Sequence, residues 1–254
     1  MGVSRWWRGG VAIVAVMLAA GCGGVEAASE PEPSPSPMSG PVASDGGGIV
    51  IAESGFTVLS DGDVVVVSYG LLLRNESRVD AVANTSTALT WLDESGAQIA
   101  SAAGRVADEE VGITWLPPGA SMAVAGTMEL ADVPVEPEIG LSKFDWIPVS
   151  LVDGWGELIS TEASIDEGDP TTIDFTVMST FNEAIDVEAS ALLRDAGGLI
   201  VGGTSWRDSM IGTIESGELP GKITVDESQY PTVAETADVY PHVAYGTWDP
   251  VVRP

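Results

Sequence analysis

Ser121-Met122-Ala123-Val124-Ala125-Gly126-Thr127-Met128-Glu129-Leu130 is the stretch that decides the fold. Met122, Val124, Gly126, Met128 and Leu130 fall on one side of an extended backbone, and Ser121, Ala123, Ala125, Thr127 and Glu129 on the other. A period of two is the signature of a half-buried strand, because successive side chains of a strand point to opposite faces. The alternation returns in Ile173, Phe175 and Val177 against Thr172, Asp174 and Thr176. It returns again in Val187, Ala189, Ala191 and Leu193 against Asp186, Glu188, Ser190 and Arg194, with Leu192 breaking the polar side. Val64 to Leu73 is apolar on both faces, which predicts a central strand. No capped amphipathic helix interrupts these runs, so the chain is expected to be all-β.

Working outward, the strands and turns repeat at a shift of 102 residues. Asp93 meets Asp195, Gly96 meets Gly198, and Arg105 meets Arg207; Pro118-Gly119 meets Pro220-Gly221, and Trp146 with Pro148 meets Trp248 with Pro250. Solenoid repeats run to about 20–50 residues, so a period this long predicts duplicated domains. The expected boundaries are 49–150 and 151–254, with the first copy lengthened by a few residues before Asp93. Glycine supplies the positive φ that turns need at Asp93-Glu94-Ser95-Gly96, Asp195-Ala196-Gly197-Gly198 and Pro117-Pro118-Gly119. Short strands at this spacing predict two tandem immunoglobulin-like β-sandwiches.

The order Tyr69-Gly70, Asn75-Glu76-Ser77, Leu92-Asp93-Glu94-Ser95-Gly96 and Leu116-Pro117-Pro118-Gly119 resembles the FxLYD type of bacterial immunoglobulin-like domain. In the second copy Phe175 to Ser179 lacks both the glycine and the asparagine. The resemblance covers both copies loosely. It implies a binding or spacer module of secreted and lipid-anchored proteins rather than a catalyst.

The N-terminus has a different grammar. Arg5 and Arg8 precede an apolar run from Val11 to Ala20, and small residues close it. This is the layout of a secretory signal peptide over residues 1–21. A membrane-spanning helix needs about 20 apolar residues, and this run has about half that. Leu18-Ala19-Ala20-Gly21-Cys22 resembles a bacterial lipobox, with Ala19 where leucine is commonest and the leucine displaced to Leu18. That resemblance implies lipid attachment to Cys22, cleavage before it, and a membrane partner reached through the lipid. The alternative is an ordinary cleaved signal followed by an incidental cysteine. Residues 22–48 have no period; Pro31-Glu32-Pro33-Ser34-Pro35-Ser36-Pro37 favours extended polyproline II, so this segment is expected to be a disordered tether.

Charge and composition then exclude whole classes of function. The chain has 10 basic and 38 acidic residues for a formal charge of −28, and removal of residues 1–21 with Arg5 and Arg8 makes it −30. Such acidity excludes nucleic acid, whose phosphates call for lysine and arginine. With one cysteine and one histidine, no disulfide forms within a chain and no histidine-rich zinc site can be built. His242 has no G-x-S-x-G elbow to serve, and no glycine-rich loop has the lysine a phosphate cradle uses. Asp61-Gly62-Asp63, Asp108-Glu109-Glu110 and Asp166-Glu167-Gly168-Asp169 offer carboxylates to calcium without EF-hand spacing, and read better as solvated loops. Trp91, Trp146 and Trp248 are expected to plug cores. Trp115, Trp155 and Trp206 are the candidates for an exposed aromatic platform.

The expectation is therefore a non-enzymatic, extracytoplasmic lipoprotein on the cell membrane. It would have no catalytic residues, metal or cofactor, and would display two β-sandwiches to an unidentified envelope or surface protein. The alternative is a lipoprotein that holds a small molecule, glycan or calcium where its two domains meet.

Overall fold

The computed structural model describes residues 36–37, 48–61, 64–101, 108–132, 136–140, 146–151, 156–161, 163–166, 168, 170–205, 211–226 and 229–248. Strand makes up 71% of the interpretable part and helix 2%, so the fold is all-β, as the alternating periods require. All the described residues belong to one compact unit, Pro33–Pro254.

The first half is a pair of facing sheets. β1 (Ser36–Pro37), β2 (Ile49–Asp61), β3 (Val64–Asn75) and β6 (Ser121–Leu130) lie in the order β1-β2-β3-β6. Opposite them, β4 (Asp80–Leu92) lies between β5 (Asp108–Leu116) and β7 (Glu136–Gly140), and β8 (Trp146–Pro148) also pairs with β4. Every pairing is antiparallel. The core between the sheets is led by Trp91, whose ring meets Phe56 and Tyr69 edge-on at 5.6 Å each. Such T-shaped pairs set the positive edge of one ring against the negative face of another.

β3 explains its own two-sided apolarity. Val67, Tyr69, Leu71 and Leu73 point into that core, while Ser68, Gly70 and Leu72 on the other face are also buried, against the second half. In β6 the alternation holds as the sequence predicts: Met122, Val124 and Leu130 enter the first core. Ala123 and Ala125, on the side read as polar or small, are buried too, because the second half covers them.

The second half is built around one strand. β11 (Thr171–Arg194) runs for 24 residues, where the alternation suggests two separate strands. β9 (Leu158–Ser160) and β10 (Ser164–Asp166) pair along its first arm, and β13 (Gly212–Val225) pairs along that arm and on to Val187 at the start of the second. β12 (Ile200–Ser205) and β14 (Thr236–Val243) pair along its second arm. The arms meet at a bulge, where Asn182, Glu183 and Ala184 are exposed and the register with β13 shifts. Inward residues of both arms, from Ile173 and Phe175 to Ala191 and Leu193, share one core.

The two turns that match at the shift of 102 residues are alike in atomic detail. Asp93 Oδ1 accepts the amides of Ser95 and Ala97, and Asp195 Oδ1 accepts those of Gly197 and Leu199. Gly96 and Gly198 follow with φ of 78° and 81°. One matched pair differs from the sequence register. Pro118-Gly119 forms a turn with Gly119 at φ 77°, whereas Pro220-Gly221 lies inside β13 opposite Thr176 and Phe175. The glycine that sits where Gly119 sits is Gly217, also at positive φ and paired with Ser179. Among the described residues β13 pairs with β11 alone, so Pro220 is tolerated on its outer edge, where a missing amide costs no ladder bond.

Candidate functional site

The two halves meet through backbone rather than bulky side chains. A Cβ on Gly55 would lie 1.9 Å from the carbonyl oxygen of Ile200, and one on Gly70 would lie 2.7 Å from that of Gly202. Glycine is what lets β2 and β3 approach β12 this closely. Leu72, Ala123, Ala125, Leu192 and Ile200 fill the space between. Two hydroxyls buried in the seam bond across it: Ser68 Oγ accepts from the Gly203 amide at 3.2 Å, and Thr114 Oγ1 donates to the Ala244 carbonyl at 3.0 Å. At the margin Arg194 bridges Glu53 and Asp238, at 2.6 Å to each. Burial opposes the arginine's charge, but the hydrogen bonds to the two carboxylates outweigh it and hold Arg194 above its ordinary pKa. Nearby, burial and then the Asp238 charge raise the Tyr240 hydroxyl.

Beside this seam the halves leave a groove with a cavity of about 370 Å³, between the Pro117-Pro118-Gly119 turn and the strands β9 and β14. It continues past Ile159 toward Tyr240 as a more open trough. Trp115 and Phe181 line its buried end, and the Trp248 ring stacks edge-on against both, at 5.4 and 5.5 Å. Trp248 Nε1 donates to Glu183 Oε1 at 2.7 Å, so the bulge of β11 anchors the indole.

Asn75 fixes one wall of the groove. Its side chain is fully buried; Nδ2 donates to the carbonyls of Asp80 and Leu116, and Oδ1 accepts the Ser77 amide. Its backbone bonds to Gly119 and Ala120. The residue thus ties the β3–β4 corner to the proline turn. Ser179 does the matching work in the second half, donating to the Glu215 carbonyl and accepting the Phe181 amide. On the opposite wall Gly156 passes 2.5 Å, measured from where its Cβ would be, from the Phe181 amide nitrogen. His242 lies along the groove with Nε2 3.5 Å from Glu188 Oε2 and Nδ1 3.3 Å from the Tyr240 carbonyl.

The residues singled out from sequence separate clearly. Leu18, Ala19, Ala20, Gly21 and Cys22 lie outside the described residues, as do Trp155 and Trp206. Trp91 and Trp248 plug cores as expected, and β8 carries the Trp146 backbone beside Val82. Trp115 does not belong to an exposed platform. It is 5% exposed, because the face of β5 that carries it is covered by the second half and Trp248. Glu167 and Asp169 fall outside the described residues, as do Gly62 and Asp63, and nothing is described of the side chains of Asp108, Glu109 and Glu110. Among the described residues no three His, Cys, Asp or Glu side chains are grouped to hold a metal ion. None of the described helices is long and apolar enough to cross a membrane.

Sequence reasoning missed the groove and the Arg194 bridge. Neither has a local signal, since both join segments far apart in the chain, Arg194 and Glu53 by 141 residues. No family model, no curated protein and no solved structure matches this chain.

Proposed function

We propose that the chain is a non-enzymatic, lipid-anchored extracytoplasmic protein that presents two immunoglobulin-like β-sandwich halves for contact with an envelope or surface protein. The observation that carries this reading is the lipobox-like Leu18-Ala19-Ala20-Gly21-Cys22, followed by the proline-rich segment ahead of β2. A diacylated cysteine holds a protein at a bilayer where one chain binds only marginally, at ~0.8 kcal/mol for each buried CH₂. The close-packed seam between the halves adds support, because a body whose halves interlock offers a partner one fixed surface. Cys22→Ser is expected to abolish incorporation of labelled fatty acid and to move the protein from the membrane to the soluble fraction. Continued labelling of that variant would refute the anchor.

The groove favours a second reading, a binding protein for a small ligand. Its volume is within the roughly 300–1,000 Å³ of ligand sites, and apolar and polar groups converge on it.

A further inference from the structure

Two of the strands that border the groove have an edge that is largely without a strand partner among the described residues. β6 is the last strand of its sheet and pairs along its length with β3, only its far end being met by Ser101 opposite Leu130, and β9 forms its ladder with β11 alone, while the Ser160 hydroxyl donates to the Val239 carbonyl of β14. A bare edge presents amides and carbonyls to whatever lies beside it, and proteins commonly blunt such edges with proline or charge. Proline guards the neighbouring walls: Pro117 and Pro118 in the turn, and Pro241 within β14, lack the donor an added strand would use. Ser121-Met122 of β6 and Leu158-Ile159-Ser160 of β9 have no such block.

The rim beside β9 is apolar and the charge around it is negative. Ile159 and Met178 are direct cross-strand partners, 52% and 44% exposed. Paired large apolar side chains facing solvent mark a contact surface more often than scattered ones do. Glu157 precedes β9 and is exposed, and Glu218 faces Met178 from β13. No lysine or arginine is among the described residues lining the groove; Arg74 lies one strand away, opposite Ser121.

We propose that the groove accepts an extended segment of a partner polypeptide as an added strand against β9, with one apolar side chain in the cavity and a lysine or arginine near Glu157. Backbone pairing would supply affinity, and the cavity and the Glu157 carboxylate selectivity, as in other recognition by strand addition. This rests on the reading of the chain as a protein-contact module, and it names the chemistry of the contact.

The test is selection of a random 12-residue peptide library on the full chain as cells produce it, followed by binding measurements on the enriched peptides. Peptides alternating apolar and polar residues with at least one lysine or arginine are expected. Binding should slow amide exchange at Leu158 and Ser160, whose amides alternate with those bonded to β11. It should weaken about tenfold or more in Ile159→Asp, as loss of an apolar anchor does, and be unchanged in Leu199→Asp, another exposed apolar position. Matching thermal melts of both variants would exclude misfolding. Failure to enrich any peptide, enrichment of acidic ones, or indifference to Ile159→Asp would overturn the proposal. None of these outcomes touches fatty-acid labelling of Cys22, so the anchor and the groove stand or fall separately.

Discussion

At the scale of single residues, Asn75 and Ser179 are a natural comparison. Both occupy the corner of their half, yet Asn75 supplies three side-chain hydrogen bonds, buried or half-buried, where Ser179 supplies two. Leaving buried carbonyls unsatisfied costs about 1–3 kcal/mol, so Asn75→Ala should destabilise the protein by about 3 kcal/mol and Ser179→Ala by about 1. Chemical denaturation of the two variants would measure the difference, and equal losses would contradict the assignment. Asn75 was legible in the sequence as part of a motif, because it acts mainly within its own corner. Trp115 was not. Whether a strand residue faces solvent or a second body depends on what covers the sheet, and nothing in the residues around Trp115 says that Trp248 arrives there.

Among the elements, the turn after β4 has a chemical handle. Hydrogen bonds from the Ser95 hydroxyl, then from the Ala97 and Ser95 amides, hold the Asp93 carboxyl below its ordinary pKa. A depressed carboxylate pKa gives stability that is present above the unfolded value, about 4, and is lost as pH falls through the folded one. Protection of the Ser95 and Ala97 amides from exchange should therefore exceed that in Asp93→Ala at pH 7, and the excess should vanish at acidic pH. A pH-independent difference would show that the charge is irrelevant. The turn was readable because Asp and Gly are written side by side. The length of β11 was not. Asn182-Glu183-Ala184 interrupts the alternation of apolar residues, and only the pairing of β13 along both arms shows that the backbone continues. Pro220-Gly221 misled for the same reason: a turn-like dipeptide fits an edge strand that bonds on one side only.

For the molecule as a whole, the seam dictates how it comes apart. Two halves joined by a flexible hinge would melt separately, but these share Ala81, Ala83 and Trp115 with the second core and press glycine backbones together. One calorimetric transition is expected, with van't Hoff and calorimetric enthalpies equal. Gly55→Ala forces a methyl into the Ile200 carbonyl and should lower stability by about 3 kcal/mol, the upper range for overpacking. Two resolved transitions in the unmodified protein would contradict this. The two matching aspartate–glycine turns were legible from the shift of 102 residues. The interlocking was not, because a glycine that permits close approach is spelled the same as one that permits a turn.

A last consequence follows from β1. Ser36 and Pro37 lie beside Phe56 and Gly55, so the body grips its own leader well before β2 begins. Counted from Cys22, the chain can extend at most about 50 Å before reaching that grip. Under the proposed attachment, this sets a leash radius: β1 stays within that height of the lipid surface.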